Sequence, residues 1–132
     1  MTTFESSVNI NRAVDDVYEF LSDFNNHHGL MPDTIQNWSS TFNEAGFDIP
    51  NMAHLSLKID ERHHDQSIHI IATGNPPFAI TLTWNVSANG DGTAVNFVIT
   101  ADLNVMMKML ASAPLQKLAD HQTNALKETL SN

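Results

Sequence analysis

Apolar and polar residues alternate along most of the chain, which predicts strands, and helical spacing is confined to two segments. Residues 3 to 10 alternate with a period of two and are predicted to form the first strand. In the next segment the apolar residues share one helical face: Val14, Val17, Tyr18, Leu21 and Phe24. We expect Asn11 to cap this helix, and residues 25–29 to end it or to begin a short second helix. Pro32 then forces the chain out of the helical conformation.

Strands are predicted from residue 34 to residue 101, and the clearest of them form two hairpins. The first hairpin joins residues 55–60 to residues 67–73 through a loop at His64–Asp65. Its predicted inward pairs are Leu57–Ala72, Ile59–Ile70 and Glu61–Ile68. Its predicted outward pairs are Lys58–Ile71 and Asp60–His69. This register leaves one apolar face and one mostly polar face, as an antiparallel sheet with one solvated side requires.

The second hairpin turns at residues 89–92, whose sequence Asn-Gly-Asp-Gly is a strong turn signal. Placing Ala88 opposite Thr93 sets the remaining inward pairs, which are Val86–Val95, Trp84–Phe97, Leu82–Ile99 and Ile80–Ala101. A slip of one residue would move every one of these side chains to the other face, so this register is strongly specified.

The last 30 residues predict a long helix that Asp102 or Asn104 can cap. Two successive apolar groups have helical spacing: Leu103, Met106, Met107 and Leu110, and then Leu115, Leu118, Gln122, Ala125 and Leu126. Pro114 lacks a backbone donor, so we expect a kink or a break there. The chain is therefore predicted to be one α+β domain over residues 1–132, in which the C-terminal helix covers the apolar face of an antiparallel sheet.

This order of elements, with the stretches Val14–Phe24 and Leu30–Ile35, resembles the START-like (SRPBCC) superfamily over essentially the whole chain. That group includes birch-pollen allergens, polyketide cyclases and coenzyme-Q-binding proteins. The resemblance implies a helix-grip fold, in which a curved sheet wraps around the last helix and leaves an apolar cavity for a lipid-, quinone- or polyketide-like ligand. The chain departs from the family by lacking the proline often found near position 13 and by carrying Pro114 in its last helix.

The residues expected to contact a ligand come from the apolar faces of the sheet and the helix, although the same residues would suit an ordinary core. They are Leu57, Ile59, Ile70, Leu82, Trp84, Phe97, Ile99, Met106, Met107 and Leu110. Flexible thioethers suit a wall that adapts to varied ligands, and the methionines concerned are Met31, Met52, Met106, Met107 and Met109. The indole N–H of Trp84 needs an acceptor, which a bound ligand could provide.

Acid–base catalysis in the same cavity is the alternative function. A cyclase or dehydratase needs only one or two polar groups in an apolar cavity, where burial tunes their pKa. The candidates are Glu61, Tyr18 and His121, with Gln122 as a further polar group on the last helix. Nucleophilic catalysis is not favoured, because the sequence has no cysteine and no Gly-x-Ser-x-Gly motif.

Charge and composition exclude several other classes of protein. Six Lys and Arg against 15 Asp and Glu give a formal net charge of −9, so nucleic-acid binding is not expected. No segment reaches the ~20 apolar residues of a membrane span, and the N-terminus does not resemble a signal peptide, so we expect a cytoplasmic protein without membrane insertion. Neighbouring histidines such as His63 and His64 point apart, so we expect no metal site and no cofactor, with zinc the first ion to consider.

The sequence therefore favours a non-catalytic carrier or sensor of a small apolar molecule. The alternatives are the cyclase or dehydratase described above and a protein-interaction module, which would expose a contiguous apolar patch. A homodimer, formed through such a patch or through a sheet edge, is a further expectation.

Overall fold

The computed structural model describes residues 1–50 and 53–130, whose main elements are a seven-stranded sheet and a long C-terminal helix. The strands are β1 (Thr2–Ile10), β2 (Gln36–Ser40), β3 (Glu44–Ile49), β4 (Ala53–His63), β5 (Ser67–Thr73), β6 (Ile80–Asn89) and β7 (Gly92–Ala101). The helices are α1 (Val14–Leu21) and α2 (Val105–Leu130). Two 3₁₀ turns, Phe24–Asn26 and His28–Leu30, lie between α1 and β2.

The strand order in the sheet is β1-β7-β6-β5-β4-β3-β2, and all neighbouring strands are antiparallel. The strands β2 to β7 follow one another as a meander, and β1 adds to the sheet beside β7. β1 and β2 are therefore the two edges, which α1 and the 3₁₀ turns connect. The sheet curls around α2, so the predicted α+β class and helix-grip fold are confirmed.

α2 covers the apolar face of the sheet mainly with its second half. The buried side chains of α2 are Ala111, Leu115, Leu118, Ala119, Gln122, Thr123, Leu126 and Leu130. Every second residue of β7 is buried, as expected for a strand with one face on the core. Two hydrogen bonds join α2 to β1: one links Ser6 Oγ and Thr123 Oγ1 at 2.7 Å, and Gln116 Nε2 donates the other to Glu5 O at 3.0 Å.

The β6–β7 hairpin has the predicted register. The observed pairs are Ala88–Thr93, Val86–Val95, Trp84–Phe97, Leu82–Ile99 and Ile80–Ala101. Gly90 has a φ of 61°, the left-handed conformation that a tight hairpin turn requires and that glycine adopts without strain. The rings of the central pair, Trp84 and Phe97, stack with their centroids 4.0 Å apart.

The β4–β5 hairpin has the predicted register at its open end and a different register near its turn. The pairs Leu57–Ala72, Lys58–Ile71 and Ile59–Ile70 are confirmed. The predicted pairs Glu61–Ile68 and Asp60–His69 are wrong. A bulge between Ile59 and Glu61 adds a residue to β4, so Glu61 pairs with His69 and Arg62 pairs with Ile68.

Arg62 supplies a physical reason for this bulge. Its guanidinium donates hydrogen bonds to Ser22 O from Nε at 3.1 Å and from Nη2 at 2.6 Å, and lies 4.3 Å from the ring centroid of Phe42. Ser22 is the C-cap of α1, where a helix leaves carbonyl groups without intrahelical donors. Arg62 can satisfy such a carbonyl and Glu61 cannot, so the bulge stabilises the hairpin end by turning the cation inward.

The N-terminus of α1 differs from the prediction that Asn11 caps it. Ala13 occupies the N-cap position and makes no side-chain hydrogen bond to the helix. The preceding segment is held instead by the hydroxyl of Thr93, which donates to Arg12 O at 2.7 Å, and by an ion pair of 3.5 Å between Arg12 and Asp16. A contact from β7, distant in sequence, thus fixes the position where α1 begins.

Of the two predicted caps for α2, Asn104 is the one that acts, since its Oδ1 accepts from Met107 N at 2.8 Å. α2 runs unbroken through Pro114, so of the expected kink or break the break is wrong, and the kink stays a prediction. Ala111 and Leu115, on either side of the proline, are fully buried. Their packing offsets the loss of one backbone hydrogen bond.

At Gly92 the backbone of the β6–β7 hairpin lies close to the backbone of β1. A methyl group added at Gly92 would lie 2.5 Å from the carbonyl oxygen of Ile10. We expect Gly92→Ala to lower the free energy of unfolding by about 1–3 kcal/mol, because the backbone must move apart. Gly29→Ala is the control, since nothing lies within 4 Å of its added methyl group, and its effect should stay within about 0.5 kcal/mol. Urea unfolding followed by circular dichroism measures both, and equal losses would contradict this explanation.

Candidate functional site

A cavity of about 1020 Å³ lies between α2 and the end of the sheet that β2 and β3 form. On the sheet side it is lined by Pro32, Thr34, Ile35, Gln36, Ile49 and Pro50. On the helix side it is lined by Met107, Leu110, Ala113, Pro114, Lys117, Leu118, Asp120 and His121. The cavity therefore lies where the helix-grip fold leaves its opening, between the first part of α2 and the edge of the sheet.

The helical repeat of α2 explains which of its residues face this cavity. Met107, Leu110, Pro114, Leu118 and His121 follow one another at intervals of three or four residues, so they form one stripe along the helix. Burial changes along the same helix: from Ala111 onward one face of α2 is buried, whereas Leu110 is 63% exposed. The first turns of α2, up to Leu110, thus have no buried side chain and leave room for a ligand.

The polar residues of the cavity lie at its solvent-exposed rim. Thr34, Gln36, Lys117, Asp120 and His121 are all exposed. The apolar lining residues Ile35, Ile49 and Leu118 are half-buried or buried. This arrangement, apolar inside with a few polar groups at the mouth, is typical of small-molecule sites.

The predicted ligand-binding residues separate into three groups in the structure. The seven from the strands, Leu57, Ile59, Ile70, Leu82, Trp84, Phe97 and Ile99, are buried in the core and are not lining residues of this cavity. Met107 and Leu110 line the cavity. Met106 is 70% exposed and is not a lining residue, and Met52 lies outside the described residues. That these residues bind a ligand stays a prediction.

The lining residues on the sheet side were not predicted as a site. Ile35 and Ile49 both fall in the region for which the sequence predicts strands, and the two side chains lie on the same side of the cavity. No local pattern connects them, because they meet only when β3 folds back along β2. Pro32 was the one sequence signal for this side of the cavity, because it lies where the 3₁₀ turns have ended and the lining residues begin.

Of the three acid–base candidates, only His121 lines the cavity. Tyr18 is buried in the core, and its ring packs edge-on against His64 with centroids 5.1 Å apart. Glu61 is exposed on the outer face of the sheet, because the bulge in β4 turns it away from α2. Gln122, which follows His121 in the sequence, is buried but does not line the cavity.

Residues 1–131 match the model of the family described as polyketide cyclase / dehydrase and lipid transport. The chain belongs to this family. The resemblance to the START-like superfamily that the sequence suggested is thereby confirmed. No curated protein matches the sequence. In the described part of this family member, no helix combines the length and the apolarity needed to cross a bilayer.

Solved structures share the whole fold of this family member at low sequence identity. The KanY protein has a TM-score of 0.80 and 16% identity, and the match covers 99% of this chain and 98% of that one. XoxI from Bacillus cereus has a TM-score of 0.77 and 14% identity, with 98% and 96% of the two chains covered. A START superfamily protein from Mycobacterium smegmatis has a TM-score of 0.69 and 15% identity, with 97% and 96% covered.

The core of this family member also contains polar groups with few partners. Trp84 Nε1 and Gln122 Nε2 are buried and have no hydrogen-bond partner among the described residues. The acceptor that the Trp84 indole needs is therefore not supplied by the described residues. An unpaired buried donor destabilises a fold by about 1–3 kcal/mol, so each of these two atoms lowers the free energy of unfolding.

His27 is a buried histidine, next in the sequence to the exposed His28. Its Nε2 lies 2.9 Å from Leu21 O, and its ring packs edge-on against Phe24 and Trp84. Desolvation by burial lowers the pKa of His27 to about 4, against the opposing effects of the Leu21 carbonyl and of Asp23. The imidazole is therefore neutral at pH 7.

Two groups of potential metal ligands lie away from the cavity, one on the β4–β5 hairpin and one between the turn of this hairpin and α1. Glu61, His63 and His69 form one group, and Asp15, His64 and Asp65 form the other. His63 and His64 belong to different groups, in agreement with the expectation that adjacent histidines point apart.

Burial of His27 makes stability depend on pH. The pKa is about 4 in the folded state and 6.5 for an unperturbed histidine, so the unfolded chain binds more protons between these values. The free energy of unfolding is therefore at its full value above pH 6.5 and falls as the pH decreases towards 4. At about 1.4 kcal/mol per pKa unit, the His27 contribution to this loss reaches about 3 kcal/mol.

His27→Gln should flatten this pH dependence, with lower stability at pH 7 but a smaller loss towards pH 4. His28→Gln is the matched control, because the neighbouring His28 is exposed and should keep the parental slope. Urea unfolding at several pH values measures the slopes. A slope in His27→Gln equal to that of the parent would show that another group controls the acid loss.

Proposed function

We propose that this family member binds a small apolar molecule in the cavity between α2 and the β2–β3 edge, and carries it without changing it. The observation that carries the proposal is an apolar cavity of about 1020 Å³ bounded on both sides by half-buried hydrophobic residues. Pockets for small molecules occupy roughly 300–1,000 Å³, so this space suits a ligand at the upper end of that range. A lipid-, quinone- or polyketide-like molecule has the required size and polarity.

The distribution of polar groups supports an amphiphilic ligand. Lys117, Asp120 and His121 lie on one exposed side of the rim, and Thr34 and Gln36 lie on the other. The apolar part of the ligand would lie against Leu118 and the two isoleucines, where burial contributes about 25 cal/mol per Å². A polar head would remain at the rim and accept or donate hydrogen bonds there.

An exposed apolar surface adjoins the cavity and supports direct entry of such a ligand. Leu110 lines the cavity and is also 63% exposed. Val105, Met106 and Met109, from the same end of α2, are exposed as well. An apolar molecule can therefore reach the cavity without crossing a polar barrier at this end of α2.

Cyclase or dehydratase activity is the second candidate function, and the position of His121 favours it. His121 and the neighbouring Asp120 both line the cavity and could exchange protons with a bound substrate. The two functions differ in the fate of the ligand, because a carrier releases the molecule unchanged, a dehydratase releases it 18 Da lighter, and a cyclase releases an isomer of it. Liquid chromatography with mass spectrometry of the bound and released molecule separates them.

The carrier proposal is tested by native mass spectrometry of gently purified protein and by titration with a fluorescent apolar probe. Leu110→Gln should weaken probe binding by about 3- to 10-fold, because a polar amide replaces apolar cavity surface. Met109→Gln is the matched control: Met109 is more exposed, at 82%, and is not a lining residue, so its affinity should stay within about twofold.

Protein that carries no molecule and binds no probe would contradict the proposal, and so would equal losses in the two variants. The same native spectra give the mass of the assembly. They therefore also test the predicted homodimer, for which the exposed end of α2 is the proposed contact surface.

A further inference from the structure

The outer face of the β4–β5 hairpin brings together one carboxylate and two imidazoles. Glu61, His63 and His69 each offer a ligand atom, and these three atoms lie within 4.8 Å of one another. Glu61 Oε2 is 3.8 Å from His63 Nε2, and the rings of His63 and His69 are perpendicular, with centroids 5.3 Å apart. These residues are on the opposite side of the sheet from α2 and do not line the cavity.

The bulge in β4 creates this group. With a regular register, Glu61 would share the inner face with Ile59, as the sequence pattern predicts. The extra residue places Glu61 directly across from His69. His63, two residues further along β4, pairs with Ser67, two residues before His69, so all four side chains share the outer face.

The three donors suit a zinc ion. Two histidines and one carboxylate form a ligand set that Zn²⁺ adopts when it keeps a fourth, exchangeable position. Ligand atoms about 2.0–2.1 Å from a tetrahedral ion are about 3.4 Å apart, so the present separations need only small side-chain rotations. Glu61 and His63 have exposed fractions of 60% and 50%, so their side chains are free to make these rotations.

His69 is already oriented by the hydroxyl groups around it. Ser67 Oγ lies 3.1 Å from His69 Nε2, and Thr83 Oγ1 lies 3.5 Å from Nδ1. A metal would replace one of these contacts, and the other would continue to hold the ring. Such a hydrogen bond to the second ring nitrogen is the usual support for a metal-binding histidine.

We propose that Glu61, His63 and His69 bind a Zn²⁺ ion, which joins β4 to β5 on the outer face of the sheet. Arg62, which lies between Glu61 and His63 in the sequence, does not oppose binding, since its guanidinium is on the inner side with Ser22 O. The second group, Asp15, His64 and Asp65, has two carboxylates and one imidazole, and is the less suitable site for zinc. The proposal is independent of the ligand in the cavity.

Isothermal titration calorimetry, in which ZnCl₂ is added to the chelator-treated protein, tests the site. We expect one ion per chain, and His63→Gln and His69→Gln should each weaken binding at least about tenfold. Glu61→Gln should weaken it by a similar factor, because the amide carries no charge. His64→Gln is the matched control, since it removes the neighbouring histidine from the second group only, and its affinity should stay within about twofold.

Thermal unfolding gives a second readout that does not rely on the heat of binding. At ten times the dissociation constant, ZnCl₂ should raise the Tm of the parent by about 5 °C and leave that of His63→Gln unchanged. Without zinc the two proteins should unfold at similar temperatures, because the His63 side chain is half exposed. Dissociation constants above about 1 mM, or loss of binding in His64→Gln but not in His63→Gln, would overturn the proposal.

Discussion

The apolar face of the sheet must be removed from water, and α2 is the element that does so over only part of its length. From Ala111 onward one face of the helix is buried on the strands, and Leu115, Ala119 and Leu126 are fully buried there. The first turns of α2 instead carry exposed residues such as Met106 and Leu110. The same helix therefore forms a tight core where it packs on the sheet and one wall of the cavity where it does not.

Pro114 lies near the boundary between the part of α2 that packs on the sheet and the part that lines the cavity. It lines the cavity, while Ala111 and Leu115 on the adjacent face are buried. A proline inside a helix removes a backbone hydrogen bond. Because α2 nevertheless continues through Pro114, tertiary packing outweighs the loss of that bond. Its ring also presents apolar surface to the cavity, so one residue takes part in both the core side and the ligand side of α2.

The bulge in β4 connects the two faces of the sheet in a similar way. On the inner face it brings Arg62 to the C-terminus of α1, where the guanidinium binds Ser22 O. On the outer face it sets Glu61 opposite His69. A single inserted residue therefore stabilises the packing of α1 and creates a new group of polar side chains on the solvent side.

The linear pattern of side chains determined the order of elements, the register of the β6–β7 hairpin and the two candidate caps of α2, one of which, Asn104, acts. These features depend on alternation or on contacts between near neighbours, such as Asn104 with Met107, which a sequence displays directly. The bulge, the buried state of His27 and the cavity wall of Ile35 and Ile49 were decided only by tertiary structure. Each depends on groups far apart in the chain, such as Arg62 and Ser22, whose meeting leaves no local periodic signal.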